Sequence, residues 1–159
     1  MSLYISSICH ILVVMLTLSP SSSSLLDRKI EETAAGLQTS YLNHLRSINK
    51  SNAATIVNYI TAMRSEINLS DYYRRDIIEL LCKFSNYNNN KNFKELARHS
   101  VISFLETYRK TETQDSLHKW IGTYNLFRIY LLRFFKWLYS PELEPGKRPK
   151  RQLWKIFLS

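Results

Sequence analysis

The sequence predicts an all-α protein, a small bundle of about five helices preceded by an apolar extension. Three observations carry that expectation. Apolar residues recur at spacings of three and four through most of the chain. Only 3 Gly and 4 Pro occur in 159 residues, too few for the frequent turns of an all-β sandwich. With 45% apolar residues, the chain has the material for one buried core.

The stretches follow in order. Residues 1–26 carry no Lys, Arg, Asp or Glu. Leu3 to Leu18 is largely apolar, and Ser19 to Ser24 then supplies small residues, as in the apolar and cleavage regions of an export signal. No basic residue precedes it and the small-x-small cleavage pattern is missing, so an appended N-terminus without structural role stands beside the signal reading. The run is also too short and polar to span a bilayer comfortably. Asn49 and Asn68 open glycosylation sequons, which matter only on a eukaryotic export route.

Between Asp27 and Ile48, Ile30, Ala34, Leu37, Tyr41, Leu45 and Ile48 lie on one stripe and predict a first helix. Ser51 is the expected cap of a second, carrying Ile56, Ile60, Met63 and Ile67. Ser70 and Asp71 open a third, with Tyr73, Ile77, Leu81 and Phe84 on the stripe and Arg74, Arg75 and Lys83 off it. Ser85 to Asn92 reads as a loop. A fourth helix is expected around Ala97 to Tyr108, with Lys110 to Ser116 as polar loop. The fifth is expected from an N-cap at Thr123 to a stop at Pro141. At 100° per residue its apolar arc holds Tyr124, Phe127, Tyr130, Leu131, Phe134, Phe135, Trp137 and Leu138. Asn125, Arg128, Arg133 and Lys136 occupy the complementary arc of roughly 140°.

Charge is concentrated near the end. Residues 27–116 carry 13 basic and 11 acidic residues, whereas 117–159 carry 9 basic and 2 acidic. No acidic residue lies between Leu117 and Pro141, and the basic run continues through Lys147, Arg148, Lys150 and Arg151. Solvated faces ordinarily mix signs, so this region predicts a polyanion as partner, either nucleic acid or an anionic membrane.

Little points to other chemistry. Cys9 and Cys82 have neither CxxC nor Cys/His spacing, and the four histidines lack any i, i+4 pairing, so no metal site is expected. No Gly-rich phosphate loop is present. The tyrosines sit in helical patterns where packing is the default role. Cys82 reads as a buried small hydrophobe. Trp120 and Trp137 have the rings to stack on bases, but core packing is the commoner use. No enzyme, cofactor or small-molecule substrate is expected.

HKWIGTYNLFRIYLLRFFKWLYSPELEPGKRPK at His118 to Lys150 resembles the N-terminal core-binding domain of tyrosine recombinases, in the archaeal branch of phage-type integrases. LSDYYRRDIIELLCKFS at Leu69 to Ser85 is similar to that family's first strongly patterned helix, and FKELARHSVISFLETYRK at Phe93 to Lys110 to its next element. The resemblance covers about half the chain, from about residue 68. It implies a SAM-like bundle that clamps one face of double-stranded DNA in site-specific integration and recombination. Carried over, Arg74 and Arg75 would meet phosphates, while Thr123, Asn125, Arg128 and Lys136 would face the groove, with Lys119 just before them. Arg133, Lys147, Arg148 and Lys150 complete the expected DNA-binding set. The Arg/Lys/His/Arg cluster and attacking tyrosine of the family are not recognisable, so the chain is expected to bind without cutting, as a truncated or split integrase. Ala97 to Ser100 departs from the Thr and acidic residues the family more often has there, which predicts a weakly capped fourth helix.

The expected organisation is thus an extension over 1–26, a helical domain over 27–140 and a basic tail over 141–159. The expected partners are duplex DNA and a full-length or split integrase subunit, in a cytoplasmic, nucleoid-associated setting. The alternative is a membrane-associated or exported basic helical protein directed by residues 1–18.

Overall fold

The computed structural model describes residues 22–148, and these form an all-helical bundle without strands. The elements are α1 (Ser22–Ala34), α2 (Thr39–Ser47), α3 (Lys50–Glu66), α4 (Asp71–Tyr87), a short 3-10 turn (Phe93–Glu95), α5 (Arg98–Glu106) and α6 (Trp120–Tyr139). The apolar run from Leu3 to Leu18 lies outside the described residues, as do residues 149–159, Lys150 among them. Helical structure starts at Ser22, five residues before the expected domain boundary.

The stripe expected to make one helix over 27–48 makes two. Gly36, at φ +79°, turns the chain in the left-handed region, and the Leu37 amide donates to the Ala34 carbonyl at 3.0 Å. A glycine adopts that conformation without the steric cost other residues meet. Ile30 and Ala34 on one side of the break and Leu45 and Ile48 on the other are all buried. The stripe was therefore a true core signal that ran across a turn.

Caps set most of the other boundaries. The Asn49 side chain accepts from the Asn52 amide at 2.7 Å, so α3 opens two residues before the expected Ser51 cap. Ser70 caps α4 as expected, accepting from Tyr73 N at 3.2 Å. No side-chain cap closes α5 at Ala97, in keeping with the weak start expected there. For α6 the structure corrects the expected Thr123 cap. The helix starts at Trp120, whose amide donates 2.9 Å to the Asp115 carboxylate. That bond to the Trp120 backbone holds the Asp115 carboxyl below its ordinary range.

Helix α4 lies at the centre. Arg74, Ile77, Ile78, Leu80, Leu81, Cys82, Phe84 and Ser85 are all buried, more than one face of a helix, because α2, α3 and α6 pack around it. Most of the apolar arc assigned to α6 is core: Tyr130, Leu131, Phe134, Phe135, Trp137 and Leu138 are buried. Their rings join Tyr59, Phe84, Phe93 and Phe104 in one aromatic cluster. Phe134 stands edge-on to Tyr59 at 5.2 Å and to Phe93 at 5.1 Å, and Phe84 stands edge-on to Phe104 at 5.1 Å. Each such ring contributes about 1.5–3 kcal/mol by leaving water.

Helix α4 also runs three residues into the stretch expected to be loop, and its exit is held by asparagines. Asn52 is 0% exposed; its amide group donates to Ser85 Oγ at 2.8 Å and to the Lys91 carbonyl at 2.9 Å, and its oxygen accepts from Phe93 N at 3.2 Å. Ser85 Oγ donates to Asn90 Oδ1 at 2.9 Å, and Asn49 donates to the Asn90 carbonyl. Asn89 and Asn90 take φ of 52° and 57°, which Asn tolerates better than most residues. The polar run is thus a connection from α4 to the 3-10 turn, pinned to the start of α3.

Cys82 is buried as expected, and burial pushes its thiol up to about 12. A thiol that ionises more easily unfolded than folded stabilises the fold fully below the unfolded value, near 9. That contribution is lost as pH rises from there through about 12. Chemical denaturation should show wild type losing about 1.4 kcal/mol more per pH unit than Cys82→Ala across that window. Equal slopes would mean that the thiol reaches solvent.

Candidate nucleic-acid interface

The residues expected to bind DNA divide by what their side chains already hold. Arg74 is 6% exposed, and its guanidinium donates 2.7 Å to the Ala35 carbonyl and pairs with Asp71 at 2.9 Å. It thereby closes the C-terminal end of α1, where a cation meets the negative end of the helix dipole. Arg148, 7% exposed, donates to both Glu66 carboxylate oxygens and, at 3.3 Å, to the Ser140 carbonyl. It ties the segment after α6 to the end of α3. The phosphate contact expected of Arg74 and the DNA contact expected of Arg148 meet side chains that the fold already buries and engages, and freeing either would leave its carboxylate without its partner.

Arg75 is half-buried, bonded to Asp76 at 3.1 Å and lying 4.7 Å over the Tyr72 ring. Lys147 is exposed and pairs with Glu144 at 3.0 Å. Thr123 is exposed, but heptad spacing puts it on the side of Tyr130 and Trp137 rather than with Arg128, which corrects its assignment to the groove-facing side.

The remaining five described residues keep together. Asn125, Arg128 and Arg133 are exposed and Lys136 half-buried along the outward arc of α6, with exposed Lys119 just before the helix. Every ion pair among the described residues lies outside α6. Arg133 makes one long contact, 3.4 Å to the Tyr73 hydroxyl, which also raises its pKa. Elsewhere the bundle neutralises many of its cations in place; along α6 the positive charge stands open to solvent.

One property of this face was missed. Ile121 and Ile129 fall within the same outward arc, with Leu126 just beyond its Arg133 edge, and the three are 40–46% exposed. The expected basic ridge is a mixed basic and apolar one. The signal was present in the sequence, because these positions share or adjoin the arc of Asn125 and Arg128; the apolar arc drawn for the core simply left them out.

Trp137 is a core residue, as packing would have it, and Trp120 stands edge-on to Tyr124 at 6.0 Å. Among the described residues no group of three or more His, Cys, Asp and Glu is placed to hold a metal ion, and no helix is long and apolar enough to cross a membrane. Comparison with protein-family models, curated proteins and solved structures finds no match to this chain. The class that the fold itself defines is an all-helical bundle with one uncompensated basic helix face.

Proposed function

We propose that this chain is a duplex-DNA-binding module, the core-binding domain of an archaeal-type tyrosine recombinase, acting in integration or recombination through a catalytic domain elsewhere. One observation supports it above the rest: Arg128, Arg133 and Lys136 line the outward arc of a helix that carries no acidic residue and makes no ion pair. A cationic ridge of that kind attracts a polyanion and releases its counterions. Arg128 and Asn125 have the donors for base-edge readout, while Lys119 and Lys136 suit phosphates.

A second reading rests on Ile121, Leu126 and Ile129, which place apolar side chains among the cations. An amphipathic basic face of that make-up also suits an anionic membrane surface. The two readings separate in one experiment, titrating the full chain at low salt with a fluorescent duplex and, in parallel, with phosphatidylserine vesicles and neutral vesicles. Saturable duplex binding, without preference for anionic over neutral vesicles, is the expected result. Binding to phosphatidylserine vesicles with no duplex binding would overturn the DNA reading.

A further inference from the structure

At the C-terminal end of the same ridge, α3, α6 and the segment 141–148 enclose a cleft of about 320 Å³, lined by Tyr59, Met63, Glu66, Ile67, Arg133, Lys136, Pro145 and Arg148. Three cations face one carboxylate there. Glu66 is neutralised by Arg148, which leaves Arg133 and Lys136 as its uncompensated charges. The fifth polar group is the Tyr59 hydroxyl. Tyr59 is fully buried, and although Tyr73 approaches its hydroxyl closely enough to raise its pKa, no partner meets hydrogen-bond geometry there. A buried hydroxyl left unpaired is uncommon enough to need a reason, because it costs stability that an isosteric phenylalanine would not.

We propose that this cleft is a phosphate site, in which Arg133, Lys136 and the Tyr59 hydroxyl donate to the oxygens of one phosphate group. Charge favours that chemistry: two free cations balance a phosphate's charge, and α3 and α6 each bring a donor-bearing residue to the cleft. The hydroxyl has no accessible surface, so occupancy requires the side chains over it to move; Arg133, whose one hydrogen bond is the 3.4 Å contact to Tyr73, is the neighbour proposed to rotate. The phosphate is either a backbone phosphate of a bound strand or free inorganic phosphate. The site deepens the DNA reading, since it continues the α6 ridge, but does not depend on it.

The test is a thermal-shift titration of the full chain with inorganic phosphate against sodium chloride of equal ionic strength. Wild type should gain a saturable rise in Tm from phosphate alone. Tyr59→Phe, which keeps the ring and removes the hydroxyl, should melt higher than wild type without phosphate and bind phosphate at least tenfold more weakly. Lys136→Ala should lose the phosphate response, and Lys91→Ala, an exposed cation of another region, should keep it. If phosphate also displaces a bound duplex, and Tyr59→Phe weakens duplex binding, the source is a backbone phosphate. Saturable binding without displacement assigns the site to the free anion. A phosphate response no larger than that of chloride, or one unchanged in Tyr59→Phe, would overturn the proposal, while duplex binding through Arg128 would still stand.

Discussion

A fourfold rise in monovalent salt should weaken duplex binding by the full chain about 500-fold. The figure follows from counterion release: a ridge that neutralises about five phosphates gives a slope of about −4.5 in log affinity against log salt. Lys119, Arg128, Arg133 and Lys136 supply most of that number, with Arg75 or Lys147 available once their carboxylates yield. Arg74 and Arg148 contribute nothing, since their guanidinium groups are engaged inside the bundle. The double variant Arg128→Ala, Lys136→Ala removes two contacts and should lower the slope by about 2, so that the same salt step costs only about 40-fold. Fluorescence anisotropy at several salt concentrations reads both slopes, and circular dichroism checks that the helices remain. A variant slope equal to wild type would remove α6 from the interface. Binding insensitive to salt would refute a phosphate-directed mode altogether.

Asn52→Ala should destabilise the fold by about 3–5 kcal/mol, through several losses at one point. The Phe93 amide loses its acceptor, and the Lys91 carbonyl and Ser85 Oγ lose a donor. A cavity also opens beside the aromatic cluster. Water has no easy access, because Asn52, Ser85 and Phe93 are all buried. Urea denaturation followed by circular dichroism measures the cost, with Asn58→Ala, on the exposed side of the same helix, expected to stay within about 0.5 kcal/mol. Should Asn52→Ala prove as mild as that control, the hydrogen bonds around the connection after α4 would not be what orders it. The larger result would identify a buried polar anchor, on α3, for a stretch of chain whose composition reads as loop.

That anchor shows what local patterning misses. Ser85 to Asn92 is rich in residues that favour turns, and periodicity treats such a run as a connection between elements. Its order depends on Asn52, more than thirty residues earlier, and a hydrogen bond across that separation leaves no trace in the run itself. Gly36 is a milder case. The stripe from Ile30 to Ile48 keeps its spacing across the break, because both helices turn their apolar side to the same core, so periodicity alone joined them. The single glycine was the visible cue. At α6 the apolar arc was legible residue by residue, yet the start was misplaced: the acceptor for the first amide is Asp115, beyond a turn in which His118 takes φ 51°.

The candidate site divides in the same way. The helical class, the stripes that became core, and the accumulation of positive charge without acid from Leu117 to Pro141 were legible in the residues alone, since each is a local count or a period of 3.6. Which cations are free depends on how the chain folds. Arg74 and Arg75 are neighbours of the same charge type, yet one closes the end of α1 and the other stays near the surface, because helical geometry turns adjacent side chains about 100° apart. Arg148 reads as part of a basic tail until Glu66, 82 positions earlier, takes its guanidinium. Charge is a property of composition, whereas its availability depends on which carboxylate or carbonyl the fold brings within about 3 Å, and distant parts of the chain supply those partners.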